Sequence, residues 1–410
     1  MAIANLLAMS LASSFTLQSY LLTQDINEQS DFNRNNQVID FSLSQAEVQL
    51  RGDFSWQGER FEVSLKPRIT QSWAWSKEAF SGGLQQQHLQ GRLNEGAIVF
   101  YLSDNWSLDI AREVPLWGAS LFTNITNPLY PNNGKNNPYQ ELGGTDNVRL
   151  SYLSDDNWSV AFYANIAQGE RTLFAPQFAK SYVLQADYIG MDYSLGAVLS
   201  QREGRQPKLA IYGQWTYDEA TILYAESNFS HADFALYPET ADNPVGFDFA
   251  HRDDQRYRAD LVLGASYVFE HRGVLGLELA HLSHGYSAGD ASRYFQAGAS
   301  LNDYFGAQTA DLALFGRLTH QALGNGLNAL RKNYGFASYM ISDVGETTDI
   351  NLRLAYNLDD GSKQLVAIIG HFIGADSKIF LLLNKTLGDQ NSEYNLLFDS
   401  QVYLGFEKRF

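Results

Sequence analysis

Asp349–Tyr356, DINLRLAY, alternates without a break: Ile350, Leu352, Leu354 and Tyr356 take one parity, and Asp349, Asn351, Arg353 and Ala355 the other. Successive side chains of a strand point to opposite faces, so the segment has one apolar and one polar face. The pattern recurs outward in both directions. Glu62–Thr70 (EVSLKPRIT) sets Val63, Leu65, Pro67 and Ile69 against Glu62, Ser64, Lys66, Arg68 and Thr70. Val148–Tyr152 (VRLSY) and Tyr257–Leu263 (YRADLVL) put Arg149, Ser151, Arg258 and Asp260 on the polar side. Such segments number about 18 (16–18), the kind of even count that single-chain barrels take.

A soluble sandwich alternates too, but three features favour a closed membrane barrel. First, tight polar turns at Ser103-Asp104-Asn105, Ser154–Asn157, Asp359-Asp360-Gly361 and Gly374–Ser377 fit short periplasmic turns. Long polar connections at Pro115–Thr145 and Ser230–Gln255 fit extracellular loops and would be suspect inside a soluble domain. Second, aromatics gather at strand ends (Trp73, Trp75, Trp106, Trp158, Tyr339), where interfacial girdles sit. Third, the chain ends in QVYLGFEKRF, with Val402, Leu404, Phe406 and Phe410 on one parity, interrupted by Lys408. This terminus resembles the signal read by the outer-membrane barrel assembly machinery, with Phe406 and Phe410 its principal residues.

Composition narrows the choice further. Apolar residues make up 45% of the 410, yet mean hydropathy is −0.27, so the apolar content is dispersed. No interior run approaches the roughly 20 residues of a transmembrane helix; Leu365–Gly370 and Ile379–Leu383 are strand-sized. The absence of Cys excludes thiolate zinc, a lipoprotein anchor and attached c-type haem, and suits an oxidising compartment. A net charge of −17 argues against nucleic acid, whose phosphates need a basic surface. Ala2–Ala12 (AIANLLAMSLA), followed by Ser13 and Ser14, resembles a secretory h-region without its basic start. Residues 1–14 are therefore expected to be a signal-peptide remnant or unstructured, and 15–410 a single antiparallel transmembrane β-barrel. Only Tyr294–Asn333 breaks the rhythm: Leu312–Leu318 reads as a strand, and Gln321–Leu330 as a loop or short helical turn.

Leu93–Leu129 goes beyond generic patterning. A strand pair runs into Ala111-Arg112-Glu113, then Trp117-Gly118, then Asn127-Pro128. This order resembles alginate-export-like and related outer-membrane porin families, where a Gly-Arg-Gln element leads into Trp-Gly and Asn-Pro; here Ala111 and Glu113 replace the Gly and Gln. Ser283–Asp290 (SHGYSAGD) is similar to a Gly-Asp loop of that group. The resemblance implies a channel of the Gram-negative outer membrane. Independently of it, prolines stiffen the long connection while Trp117, Asn124, Asn127, Pro128, Asn132 and Asn133 supply bulk and uncharged polar groups, which suits a loop folded inward as a constriction.

A charged side chain on the lipid face costs about 2–4 kcal/mol near the midplane. Glu47, Glu62, Lys66, Arg68, Asp109, Arg149, Arg258, Asp260, Asp311, Arg317, Asp349 and Arg353 are therefore expected to line the lumen, either as a transverse field or as pairs filling it. The acidic stretch His231–Gln255 offers oxygen ligands for Ca²⁺ but has no EF-hand spacing, and His281 with His284 makes no recognisable metal motif, so no cofactor and no metal are implied. No nucleophile–base, P-loop or HExxH pattern points to an enzyme, which leaves an outer-membrane hydrolase the weakest of three functions. The first is a channel for small polar solutes or a polysaccharide chain. The second is a structural sleeve holding a periplasmic or extracellular protein partner. The remaining expected partners are outer-membrane lipid, lipopolysaccharide and the assembly machinery.

Overall fold

The computed structural model describes residues 10–76, 84–130, 135–170, 178–231, 235–252, 256–306, 311–326 and 329–410. The alternating segments become β1 (Ser10–Ile26), β2 (Ser44–Gln57), β3 (Phe61–Trp75), β4 (Leu84–Tyr101), β5 (Trp106–Glu113), β6 (Thr145–Leu153) and β7 (Trp158–Ala167). They continue as β8 (Ser181–Ile189), β9 (Tyr193–Arg202), β10 (Lys208–Thr216) and β11 (Thr221–His231). A small hairpin, β12 (Tyr237–Thr240) and β13 (Phe247–Ala250), then interrupts the series. The wall resumes with β14 (Tyr257–Val268), β15 (Val274–His281), β16 (Asn333–Val344), β17 (Thr348–Asn357), β18 (Lys363–Ile373), β19 (Ser377–Leu387) and β20 (Phe398–Arg409).

All but β12 and β13 join one 18-stranded antiparallel sheet, which β1 closes by pairing with both β2 and β20. Closure gives every wall strand a neighbour on both sides, the condition for a sheet to stand in hydrocarbon, although β4 extends past β5 and β1 past β20. Outward positions carry exposed Leu209, Ile211, Leu263, Leu279, Leu352 and Leu404, while polar residues turn inward. Pro67 lacks a ladder N–H and is accommodated at a bulge, where β4 slips by a residue between Glu95 and Leu93. Short turns such as 58–60, 154–157, 345–347 and 374–376 share one end of the barrel with Ser10 and Phe410. At that end an aromatic belt runs through the pairs Trp106–Tyr152, Trp158–Tyr188, Trp215–Tyr217 and Tyr267–Phe269, whose ring centroids lie 4.9–5.2 Å apart.

The opposite end carries the long connections and a cap with its own core. Segment 282–332 holds α1 (Ala288–Phe305) and α2 (Leu312–Gly326). Tyr294, Leu301, Leu318 and Leu323 of these helices pack with Phe247 and Phe249 of β13, with Phe32, and with Leu396 and Leu397. Ser287 and Asp290 cap α1 reciprocally. Gly298 lets Phe32 lie against that helix, since a Cβ there would meet the ring at 2.7 Å.

Several expectations change. Leu312–Leu318 is helical rather than a strand, because its apolar residues at 314, 315 and 318 fit the helical period and find a partner face on α1 and β13. SHGYSAGD is not an isolated Gly-Asp loop but leads into the capped start of α1. The 359–361 turn is short, yet it lies at the long-loop end, since β17 arrives there from the 345–347 turn. Within 1–14, residues 10–14 belong to the barrel, where they pair with residues 53–57 of β2; residues 1–9 lie outside the described residues.

Candidate functional site

The 114–144 connection leaves β5 and crosses the lumen. Its first turn is organised by Asn127, which donates to Pro115 O at 2.8 Å and accepts from the amides of Leu129 and Tyr130, both at 3.0 Å. Trp117 closes it with a 3.1 Å hydrogen bond to Thr126 O. Gly118 adopts φ +99° with the Glu226 carboxylate 2.6 Å from where a Cβ would stand, so the position admits only glycine.

Two inward carboxylates on the far wall then take hold of the backbone. Glu226 on β11 accepts from the amides of Ala119 and Ser120 (2.7 Å for the latter) and from the Thr126 hydroxyl at 3.0 Å. Glu278 on β15 accepts from the amides of Leu121 and Phe122, from Ser120 Oγ at 2.9 Å and from Tyr224 OH at 2.8 Å. Both carboxylates are almost fully buried, and hydrogen bonds to a charged acceptor replace the water they lose. Next to them Arg353 donates to Leu121 O at 3.0 Å and lies over Phe122, which stacks on Phe336.

The segment then returns to the opposite wall. Tyr139 stacks on Phe380 of β19, and its carbonyl accepts from Gln18 of β1 at 3.2 Å and Arg51 of β2 at 3.0 Å. Glu141 receives both prongs of Arg68 at 2.7 and 2.8 Å. Burial alone would raise the Glu141 carboxyl, but the Arg68 hydrogen bonds and the charges of Arg51, Arg68 and Arg92 outweigh it and hold it below the usual carboxylate range. Arg51, Arg68 and Arg92 are register partners on β2, β3 and β4, so they form one basic row across the lumen wall. Where the loop docks, the inward parity turns apolar. Val183, Val198 and Ala210 take Leu129 and Tyr130, while Val366, Ile368 and Leu382 take Tyr139. Between residues 136–140 and the long-loop ends of β1, β2, β18, β19 and β20 lies a cavity of about 510 Å³.

Placement of the expected lumen residues follows from the strands. Glu47, Glu62, Lys66, Arg68, Asp109, Arg149, Arg258, Asp260, Asp349 and Arg353 take the inward parity of their strands. Lys66 pairs with Glu95 at 3.0 Å and Arg149 with Asp109 and Glu113, so much of this charge is matched locally. Asp311 and Arg317 are corrected: they belong to the cap, at the start of α2 and on it, and Arg317 pairs with Asp248 at 2.7 Å. Among the constriction candidates Asn124 and Asn127 are buried, Trp117 packs on Tyr163 and Pro128 is exposed; Asn132 and Asn133 lie outside the described residues. Arg112 joins Asp146 at 2.7 Å and Glu170 at 3.4 Å at the rim. Phe406 faces outward on β20, and the Phe410 amide donates to Phe15 O at 2.9 Å.

Sequence reasoning missed Glu226, Glu278, Arg51, Arg92, Tyr139 and Glu141. For two of the strand residues the signal was present: Glu226 in TILYAESNFSH is the one carboxylate at the inward parity, and Glu278 in VLGLELAH interrupts an otherwise apolar inward row. For Tyr139 and Glu141 it was absent, since a loop has no period.

The same barrel has been solved in other chains. Pseudomonas aeruginosa OccK7 (OpdD) superposes with a TM-score of 0.56 over 98% of this chain and 99% of its own, at 10% identity. P. aeruginosa OpdK with vanillate gives 0.55 over 98% of each chain at 11% identity. Acinetobacter baumannii OccAB3 gives 0.54 over 98% and 99% at 10% identity. The fold is that of outer-membrane porins. No protein-family model and no curated protein sequence matches the chain. The expected alginate-export-like family is therefore not supported; the elements behind it, Trp117-Gly118 and Asn127-Pro128, serve here to shape the crossing loop.

Proposed function

We propose that this chain is an outer-membrane channel that admits small polar solutes through the space left beside the 114–144 segment. The observation that carries the proposal is the anchoring of that segment at both walls, by Glu226 and Glu278 on one side and by Arg51 and Arg68 on the other. A pore crossed by a held loop selects by width and by the polarity of its lining. The inward row of arginines and the facing carboxylates supply that polarity. A polysaccharide cargo, the other possibility raised by the sequence, loses its support. The superposed structures are porins, OpdK was solved with the small molecule vanillate, and the loop obstructs the path of a polymer.

Planar-bilayer recording tests the proposal. The purified protein should conduct, and replacing Asn124–Asn137 by a Gly-Ser connection should raise single-channel conductance while the barrel still shifts mobility on boiling. Conductance left unchanged by the replacement defeats the constricting role of the segment, and absence of conductance in both proteins defeats the channel.

A further inference from the structure

The cavity beside residues 136–140 is polar without being charged. Among the described residues that line it there is no Asp, Glu, Lys, Arg or His. Its wall is a directed chain of carboxamides: Gln24 Nε2 donates to Ser42 O at 2.6 Å, Gln401 Nε2 to Gln24 Oε1 at 3.0 Å, and Asn384 Nδ2 to Gln401 Oε1 at 3.1 Å. Strand register fixes this order, since Gln24 faces Gln401 and Gln401 faces Asn384 across β1, β20 and β19. The chain ends at Asn384 Oδ1, which is buried and has no hydrogen-bond partner among the described residues. Gln45, Gln364 and Gln140 add further amides, and the Phe41–Phe398 ring pair adds an apolar face.

We propose that this cavity is a binding subsite for a small uncharged polyhydroxylated solute of monosaccharide size. The inference rests on the channel function proposed above and names its substrate class. A carboxamide both donates and accepts, as a hydroxyl does, so a ring of amides can exchange hydrogen bonds with a polyol in either sense. An apolar face beside them takes the C–H face of a sugar ring, the usual mixture in small-molecule sites. An ion entering here would shed water without meeting an opposite charge, which is costly. The unmatched Asn384 acceptor calls for a donor, and a sugar hydroxyl is one. The volume of about 510 Å³ falls within the range of small-ligand sites.

The test compares D-glucose with gluconate, the same carbon skeleton carrying a carboxylate. Binding is read by saturation-transfer NMR on the detergent-solubilised protein, and passage by blockade of ion current in bilayers. D-Glucose should show transfer and a saturable blockade that gluconate does not match. Asn384→Leu and, separately, Gln401→Leu should each raise the half-saturating glucose concentration about tenfold or more. If either fails to assemble, Gln45→Leu, which borders the cavity outside the amide chain, should move the value in the same direction. Stronger binding of gluconate, or glucose binding unchanged in the assembled variants, overturns the subsite. Glucose transfer without ion current keeps the subsite and defeats the channel instead.

Discussion

The barrel wall and the cap bury opposite chemistries. In the wall, Leu263 and Leu279 face outward and stay exposed, while Glu226, Asp260 and Glu278 are buried inside. In the cap, Leu301, Leu318 and Leu323 are buried and the charged Arg293 and Arg317 lie outside, with Arg293 and Arg252 holding the capping Asp290. One chain thus follows two rules because it meets two solvents. Lipid on the outer face makes apolar exposure free there, whereas the cap lies in water and must form an ordinary core. Burial by itself therefore does not mark a hydrophobic position in this protein; the neighbouring solvent does.

The largest effect that sharpens this contrast comes from Leu323→Ala in the cap. It should cost about 2–5 kcal/mol of cap stability, seen as faster amide exchange across α1 and α2 with heat-modifiability retained. Leu263→Arg on the lipid face should cost about 2–4 kcal/mol and lower the amount of heat-modifiable barrel, leaving cap exchange unchanged. If each substitution disturbs both regions equally, they are one cooperative unit and the contrast fails.

A smaller effect lies where loop meets wall. Glu278→Leu strands the Leu121 and Phe122 amides without their acceptor, about 1–3 kcal/mol for a buried unmatched group. The barrel should assemble, but the crossing loop should lose one hold, and single-channel current should become noisier and larger on average. A quiet current of unaltered size would mean that Glu226 and Arg353 suffice.

The smallest effect is one of pH at the seam between cap and wall. Burial raises the Glu393 carboxyl to about 7, helped by the charge of Asp360, against the lowering hydrogen bonds from Tyr334 and the Leu330 and Arg331 backbone. Its proton is held more tightly in the folded state than in the unfolded one. The stabilising contribution is thus complete below the ordinary carboxylate range and is lost as pH rises through about 7. Exchange of amides in 329–334 and 388–397, corrected for intrinsic rates, should be faster on the alkaline side of that value than on the acid side. Glu393→Gln should flatten the profile; an unaltered profile in that variant places the titration elsewhere.

How much was legible in the sequence depended on the region. DINLRLAY, EVSLKPRIT and YRADLVL disclosed their strands and their inward residues because a wall between two solvents imposes a strict period of two. QALGNGLNAL left a loop and a short helical turn open: Gly324 and Gly326 argue against a helix locally, and packing on α1 and β13 supplies the compensation that carries α2 to Gly326. Arg317 was misplaced for the same reason, being assigned to a lumen wall when its segment was never a strand.

By itself, the sequence determined the closed antiparallel sheet, the alternation of the quoted strands, the approximate number of strands and the proline- and asparagine-rich character of the 114–144 loop. These are local properties, written in neighbouring residues and in the solvent they must face. Only the tertiary structure decided that Glu226 and Glu278 grip that loop and that Arg51, Arg68 and Arg92 stand in one row. It alone aligned Gln24, Gln401 and Asn384 into a chain of amides and gathered four distant connections into a cap. Each of these depends on which residues closure and register bring face to face across hundreds of positions, and no local pattern carries that pairing.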